Sequence, residues 1–186
     1  MKKTVWVFGL ISGAIMAVMM LATLPFLDRI GFDRGALVGY TSMVLAFLLV
    51  FFGIRSYRDN VGGGTVSFGR AFSVGILITL VSCVCYVITW EFIYYLFMPD
   101  FTDKYAAHAV EKLRANGGSA AAIQAQVDSM KRLKELYANP LMNAAITFTE
   151  PFPIGFVVTL VCAGLLRRRP NSPEQESAAA TALSPS

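Results

Sequence analysis

The sequence predicts an all-α membrane protein: four transmembrane helices, with an extracytoplasmic helical hairpin between the third and the fourth. Two observations carry this. Four uncharged or nearly uncharged stretches, about 5–27, 35–54, 71–98 and 140–166, are each long enough to cross a bilayer, since a hydrocarbon core of about 30 Å needs roughly 20 apolar helical residues. Charged residues make up only 15% of the chain, well below the share of about 25% in soluble domains.

The four spans and one extramembrane segment use nearly all of the 186 residues, which leaves no room for a separate soluble catalytic domain. The net charge of +4 sits at membrane borders, on Lys2 and Lys3, Arg55 and Arg58, and Arg167, Arg168 and Arg169. Basic flanks of this kind orient a membrane protein rather than grip nucleic acid, and no nucleic-acid partner is expected.

The first span, 5–27, resembles a signal peptide in its Met1-Lys2-Lys3-Thr4 start. Its uncharged run from Thr4 to Leu27 is 24 residues, longer than the roughly 7–15 residues of a signal-peptide core, and an uncut span is expected. A short loop, 28–34, then leads to the second span, 35–54. The inner loop, 55–70, contains Val61-Gly62-Gly63-Gly64-Thr65, which lacks the Lys-Ser/Thr ending of a phosphate-cradling loop and reads as a flexible turn.

Between the third span, 71–98, and the fourth, 140–166, lies the outer helical segment 99–139. Thr102 or Asp103 can cap its first helix, and Asn116-Gly117-Gly118 ends it. Ser119 can cap a second helix, on which Ile123, Val127, Met130, Leu133 and Tyr137 recur at three- and four-residue spacing. Such apolar stripes serve to pack the two helices together, to lie on the membrane, or to cap the spans as a binding surface. Residues 170–186, rich in Pro, Ser, Ala and Glu, read as a disordered cytoplasmic tail.

Orientation follows from the short basic flanks. Placing Lys2 and Lys3 inside collects eight Lys/Arg in the inner segments against two in the loop 28–34. Both termini are then cytoplasmic. Lys131, Arg132 and Lys134, outside and near the fourth span, run against this bias.

Three pieces of the chain carry a resemblance: Gly62 to Gly75 (GGGTVSFGRAFSVG), the aromatic Trp90-Glu91-Phe92-Ile93-Tyr94-Tyr95, and Thr147 to Gly155 (TFTEPFPIG). With the order of spans, these resemble the bacterial family catalogued as domain of unknown function 4199. The resemblance implies a multi-pass protein of the bacterial inner (cytoplasmic) membrane with no assigned activity. It implies no catalytic or binding residue.

Chemistry must therefore come from residues that are costly where they stand. An ionisable side chain at the centre of a span costs at least about 2.5–3.5 kcal/mol, and two such residues occur, Glu91 and Glu150. At 1.5 Å per residue Glu91 lies about 12 Å below Pro99, and Glu150 about 15 Å below Pro140, so the two fall at similar depth. No Lys or Arg shares that depth, and at least one carboxyl is expected to be protonated. Pro151 and Pro153 remove the hydrogen bonds to the carbonyls of Thr147 and Thr149, which become acceptors beside Glu150.

Two readings follow. In the first, the carboxyls hydrogen-bond to each other or to Thr89, Tyr94 or Asn143 and hold the bundle together, in a non-enzymatic envelope accessory or scaffold protein. In the second, Glu91 and Glu150 form the relay of a small proton- or cation-coupled transporter. No nucleophile–base pair or metal-ligand cluster points to an enzyme, and neither cofactor nor metal is expected. His108 stands on an Ala-rich helix without a second ligand at suitable spacing, and Cys83, Cys85 and Cys162 read as packing thiols.

Packing rests on small residues. Gly9, Gly13 and Ala17 form a stripe on the first span, and Gly155, Thr159 and Ala163 one on the fourth. Small residues let backbones approach closely, so the first and fourth spans are expected to be neighbours. A homodimer through the first stripe is the alternative, and beyond the lipid bilayer a membrane-protein partner is the other expected contact.

Overall fold

The computed structural model describes residues 1–168. The 170–186 segment, expected to be a disordered tail, lies outside the described residues, as does Arg169. The chain forms α1 (Lys2–Thr23), a 3-10 turn (Leu24–Phe26), α2 (Leu27–Asn60), α3 (Phe68–Leu96), α4 (Phe101–Ala115), α5 (Ala120–Tyr137), α6 (Pro140–Phe148) and α7 (Pro151–Leu166). Among the described residues four helical stretches are long and apolar enough to cross a membrane: Lys2–Phe26, Arg29–Asn60, Phe68–Leu96 and Pro140–Leu166.

The second span starts earlier than the charges suggested. Residues 28–34 do not form a loop; the chain turns through Leu24–Phe26, with Pro25 near its start, and is helical again from Leu27. One break remains, at Gly31, whose φ of 74° and ψ of 166° lie outside helical space. Only glycine adopts that conformation without strain, so Gly31 sets the angle at which α2 enters the bundle. At its far end α2 runs on through Arg55 and Arg58 to Asn60.

Ser67 caps α3 by accepting from the Arg70 N–H at 3.4 Å, and Ser119 caps α5 by accepting from the Ala122 N–H at 3.2 Å. Neither Thr102 nor Asp103 caps α4: that helix begins at Phe101, and Thr102 is buried. It ends at Ala115, and Gly117, at φ 76°, turns the chain toward α5. A Lys134–Asp103 hydrogen bond of 2.5 Å ties α5 to α4. Lys112 donates to Asp33 at 2.8 Å, and the rings of Phe101, Tyr105 and His108 surround Phe32. The α4–α5 pair is thereby fastened to the start of α2.

The helices form a square in which α3 and α2 each touch both α1 and α7. This corrects the expected pairing of the first and fourth spans, which occupy opposite corners. Both small-residue stripes face α3. A Cβ at Gly9 would lie 2.7 Å from Val81 Cβ, and one at Gly13 would lie 2.5 Å from Cys85 Cβ. On the other side, a Cβ at Gly155 would collide with Thr79 and Phe47, while Thr159 and Ala163 are fully buried. Ala17, the last of the first stripe, is half-buried.

Hydroxyls join the helices where the glycines bring them close. Ser12 donates to the Ala46 carbonyl at 3.0 Å, Ser82 to the Gly9 carbonyl at 3.2 Å, and Thr79 and Thr159 share a hydrogen bond of 3.0 Å. Lipid tails supply no hydrophobic drive between helices, so close packing and such bonds hold a membrane bundle together. Around them Phe47, Val50, Ile54, Val74 and Ile78 make a fully buried core. At the same end Val66 and Arg168 exchange backbone hydrogen bonds of 3.0 and 2.9 Å, which pins the chain after α7 to the α2–α3 connection.

Candidate functional site

The fourth span is broken where the two prolines fall. α6 ends at Phe148, and α7 begins at Pro151. A proline has no N–H to give the carbonyl four residues back, and the chain bridges the gap with tighter bonds. Thr149 N–H donates to the Ile146 carbonyl at 3.0 Å, and Glu150 N–H to the Thr147 carbonyl at 3.2 Å. The Thr147 carbonyl is therefore taken up by Glu150's own backbone, rather than left as a spare acceptor. Thr149 Oγ1 also bonds within this turn, to the Ile146 carbonyl. Pro151 is buried and Pro153 exposed.

The break carries Glu150 to a cavity of about 350 Å³ in the half of the bundle nearest α4 and α5. Its walls come from the end of α1, the start of α2, the end of α3, and from α4 and α5. A residue that periodicity had not singled out meets the carboxylate there: Tyr86 Oη donates to Glu150 Oε2 at 2.8 Å. Among the described lining residues Glu150 is the sole carboxylate, and none is Lys, Arg or His. Tyr137, which precedes the fourth span, also lines the cavity, and burial first and the Glu150 carboxylate second push its phenol up to about 12. Its hydroxyl therefore stays neutral.

Glu91 does not belong to this cavity. Its side chain is half-buried, Oε1 has no hydrogen-bond partner, and among the described residues no hydrogen bond joins it to Glu150. Tyr86 and Glu91 are five residues apart on one helix, which turns their side chains about 140° away from each other. Equal depth did not bring the carboxyls together, because they stand on different faces of α3's surroundings.

The other expected partners serve different bonds. Trp90, one helical turn beyond Tyr86, lines the cavity and donates through Nε1 to Asn143 Oδ1 at 3.2 Å. Thr147 Oγ1 donates to the same oxygen at 3.2 Å, and both Asn143 and Thr147 are buried. Thr89 Oγ1 bonds back to the Cys85 carbonyl of its own helix. Tyr94 packs its ring on Trp90, Phe101 and Tyr137. This aromatic contact seats α4 and α5 over the mouth of the bundle.

Among the described residues no group of three or more His, Cys, Asp or Glu could hold a metal ion. His108 Nε2 instead lies 3.5 Å from Asp33, beside Lys112.

Helices of this length and apolarity, bonded to one another through small residues and hydroxyls, define a multi-pass helical membrane protein. The chain belongs to the family described as "Protein of unknown function (DUF4199)", whose sequence profile matches residues 7–168. No curated protein and no solved structure matches it.

Proposed function

We propose that this is a non-enzymatic accessory protein of the bacterial inner membrane that works by holding a small guest in the cavity beside Glu150. In this reading both termini are cytoplasmic, and the α4–α5 pair covers the cavity from the extracytoplasmic side. The observation that carries it is the cavity itself. Its volume, about 350 Å³, is within the range of roughly 300–1,000 Å³ typical of small-molecule sites. Its lining matches as well: Met and aromatic side chains from five helices with one carboxylate to fix orientation.

The relay reading, which uses Glu91 and Glu150 together, draws no support from this geometry, because Glu91 does not line the cavity. A binding role needs Glu150 alone.

Trp90 provides the test, since it lines the cavity while Trp6, the other tryptophan, is exposed on α1. In a Trp6→Phe background in nanodiscs, bromobenzene should quench Trp90 fluorescence along a saturable curve. Gly39 also lines the cavity, and nothing lies within 4 Å of a Cβ added there, so Gly39→Leu should abolish saturation without unfolding the protein. Quenching that is linear and identical in both proteins would show that no guest site exists.

A further inference from the structure

We infer that the guest is a hydrophobic organic monocation, an amine or quaternary ammonium whose charge sits against Glu150 and whose apolar body lies among the aromatic and Met side chains. The inference rests on the reading of the cavity as a guest site and adds the chemistry of the guest.

Charge balance is the first argument. Glu150, exposed on the cavity wall and bonded to Tyr86, presents its carboxyl group to a cavity whose described lining supplies no cation. A cation placed beside this carboxyl would favour its ionised form and pair its charge. The protein provides one hydrogen bond, from Tyr86 to Oε2. Among the described residues Oε1 receives none. A ligand cation would complete that pairing.

The second argument is the surface facing the carboxylate. Tyr86, Trp90, Phe101, Tyr105 and Tyr137 all line the same cavity. Aromatic faces attract cations electrostatically, most strongly where water is excluded. The lining also includes Met16, Met19, Met20, Met43 and Met98, whose polarizable, flexible thioethers adapt to irregular apolar shapes. An anionic guest would face Glu150 with no compensating charge. A neutral guest would use the apolar wall alone and form no ion pair with Glu150.

The third argument is construction. Glu150 could have been placed in an unbroken helix; instead the two-residue gap between α6 and α7 holds it at the cavity wall. Its N–H is already bonded to Thr147 and its side chain makes no capping bond. The carboxylate is thus spared from satisfying the helix end and is left to the cavity.

Phenyltrimethylammonium and tert-butylbenzene have the same shape and differ in charge, so their competition with bromobenzene for Trp90 separates the two parts of the claim. The cation should displace bromobenzene at a concentration about tenfold or more below that of its neutral isostere, a preference of about 1.4 kcal/mol or more. Glu150→Gln should remove the difference between the two compounds. The isostere comparison on the unsubstituted site needs no carboxylate variant and stands even if Glu150→Gln unfolds. Equal displacement by the two compounds, with bromobenzene still saturable, would overturn the cation while leaving the guest site intact. Absence of saturable bromobenzene binding would overturn both.

Discussion

Tyr86 on α3 and Glu150 at the break in the fourth span are joined by a hydrogen bond of 2.8 Å, from the phenol to Oε2. They are 64 residues apart in sequence, and the bond ties the third span to the break in the fourth. Glu91, five residues beyond Tyr86, has no such tie to Glu150. Removing the phenol in Tyr86→Phe should cost about 0.5–1.5 kcal/mol, the net worth of one hydrogen bond. A cycle with Glu150→Leu should show coupling of about 0.5–3 kcal/mol, whereas Glu91→Leu and Glu150→Leu should add within about 0.5 kcal/mol. Thermal unfolding of the solubilised variants checks both statements, and strong coupling between the two glutamates would contradict the geometry.

Helix order is open to a second measurement. Cysteines at Gly9 and Val81 should crosslink within one chain under mild oxidation, because a Cβ at Gly9 would lie 2.7 Å from Val81 Cβ. Cysteines at Gly9 and Ala163 should not, since α3 and α2 stand between α1 and α7. Efficient intrachain Gly9–Ala163 crosslinking would overturn the arrangement. Crosslinks between chains alone would favour the homodimer.

Two glycines should respond oppositely to the same substitution. Gly31→Ala should destabilise by about 1–3 kcal/mol, the cost of holding a side chain in a glycine-only conformation, given its φ of 74° and ψ of 166°. Gly164→Ala meets nothing within 4 Å and should be neutral or stabilising by up to about 1 kcal/mol, from helix propensity alone. Melting curves of the two variants decide this, and a neutral Gly31→Ala would remove the hinge.

Much of this fold was legible in the sequence, and the reasons are local. Uncharged length marked the four spans, and Ser119 and Gly117 marked the ends of α5 and α4. Pro151 and Pro153 marked the break in the fourth span. The charged residues 28–34 misled, because charges at a membrane border suit a helix end as well as a loop, and only Gly31 interrupts the helix there. Small-residue stripes declared a close approach but not the partner, since Gly9 fits α3 or α7 equally well on spacing. The cavity was not legible at all. Its walls come from five helices, and Tyr86 is an ordinary aromatic residue until the fold sets it beside Glu150.

The proposed orientation makes a separate prediction. A reporter active only in the cytoplasm should signal when fused after Arg169 and stay silent when inserted near Gly117, as the inner bias of eight Lys/Arg against two in residues 28–34 implies. A signal from the Gly117 site would reverse the topology and place the α4–α5 pair on the other face.

The guest site itself is tested most directly by locating a bound guest. A crystal of the protein soaked with bromobenzene should show the bromine's anomalous signal inside the cavity, between Trp90 and the Tyr86–Glu150 pair, and Gly39→Leu should erase it. Bromine found only along the lipid-facing surfaces, with the cavity empty in the unsubstituted protein, would contradict the account.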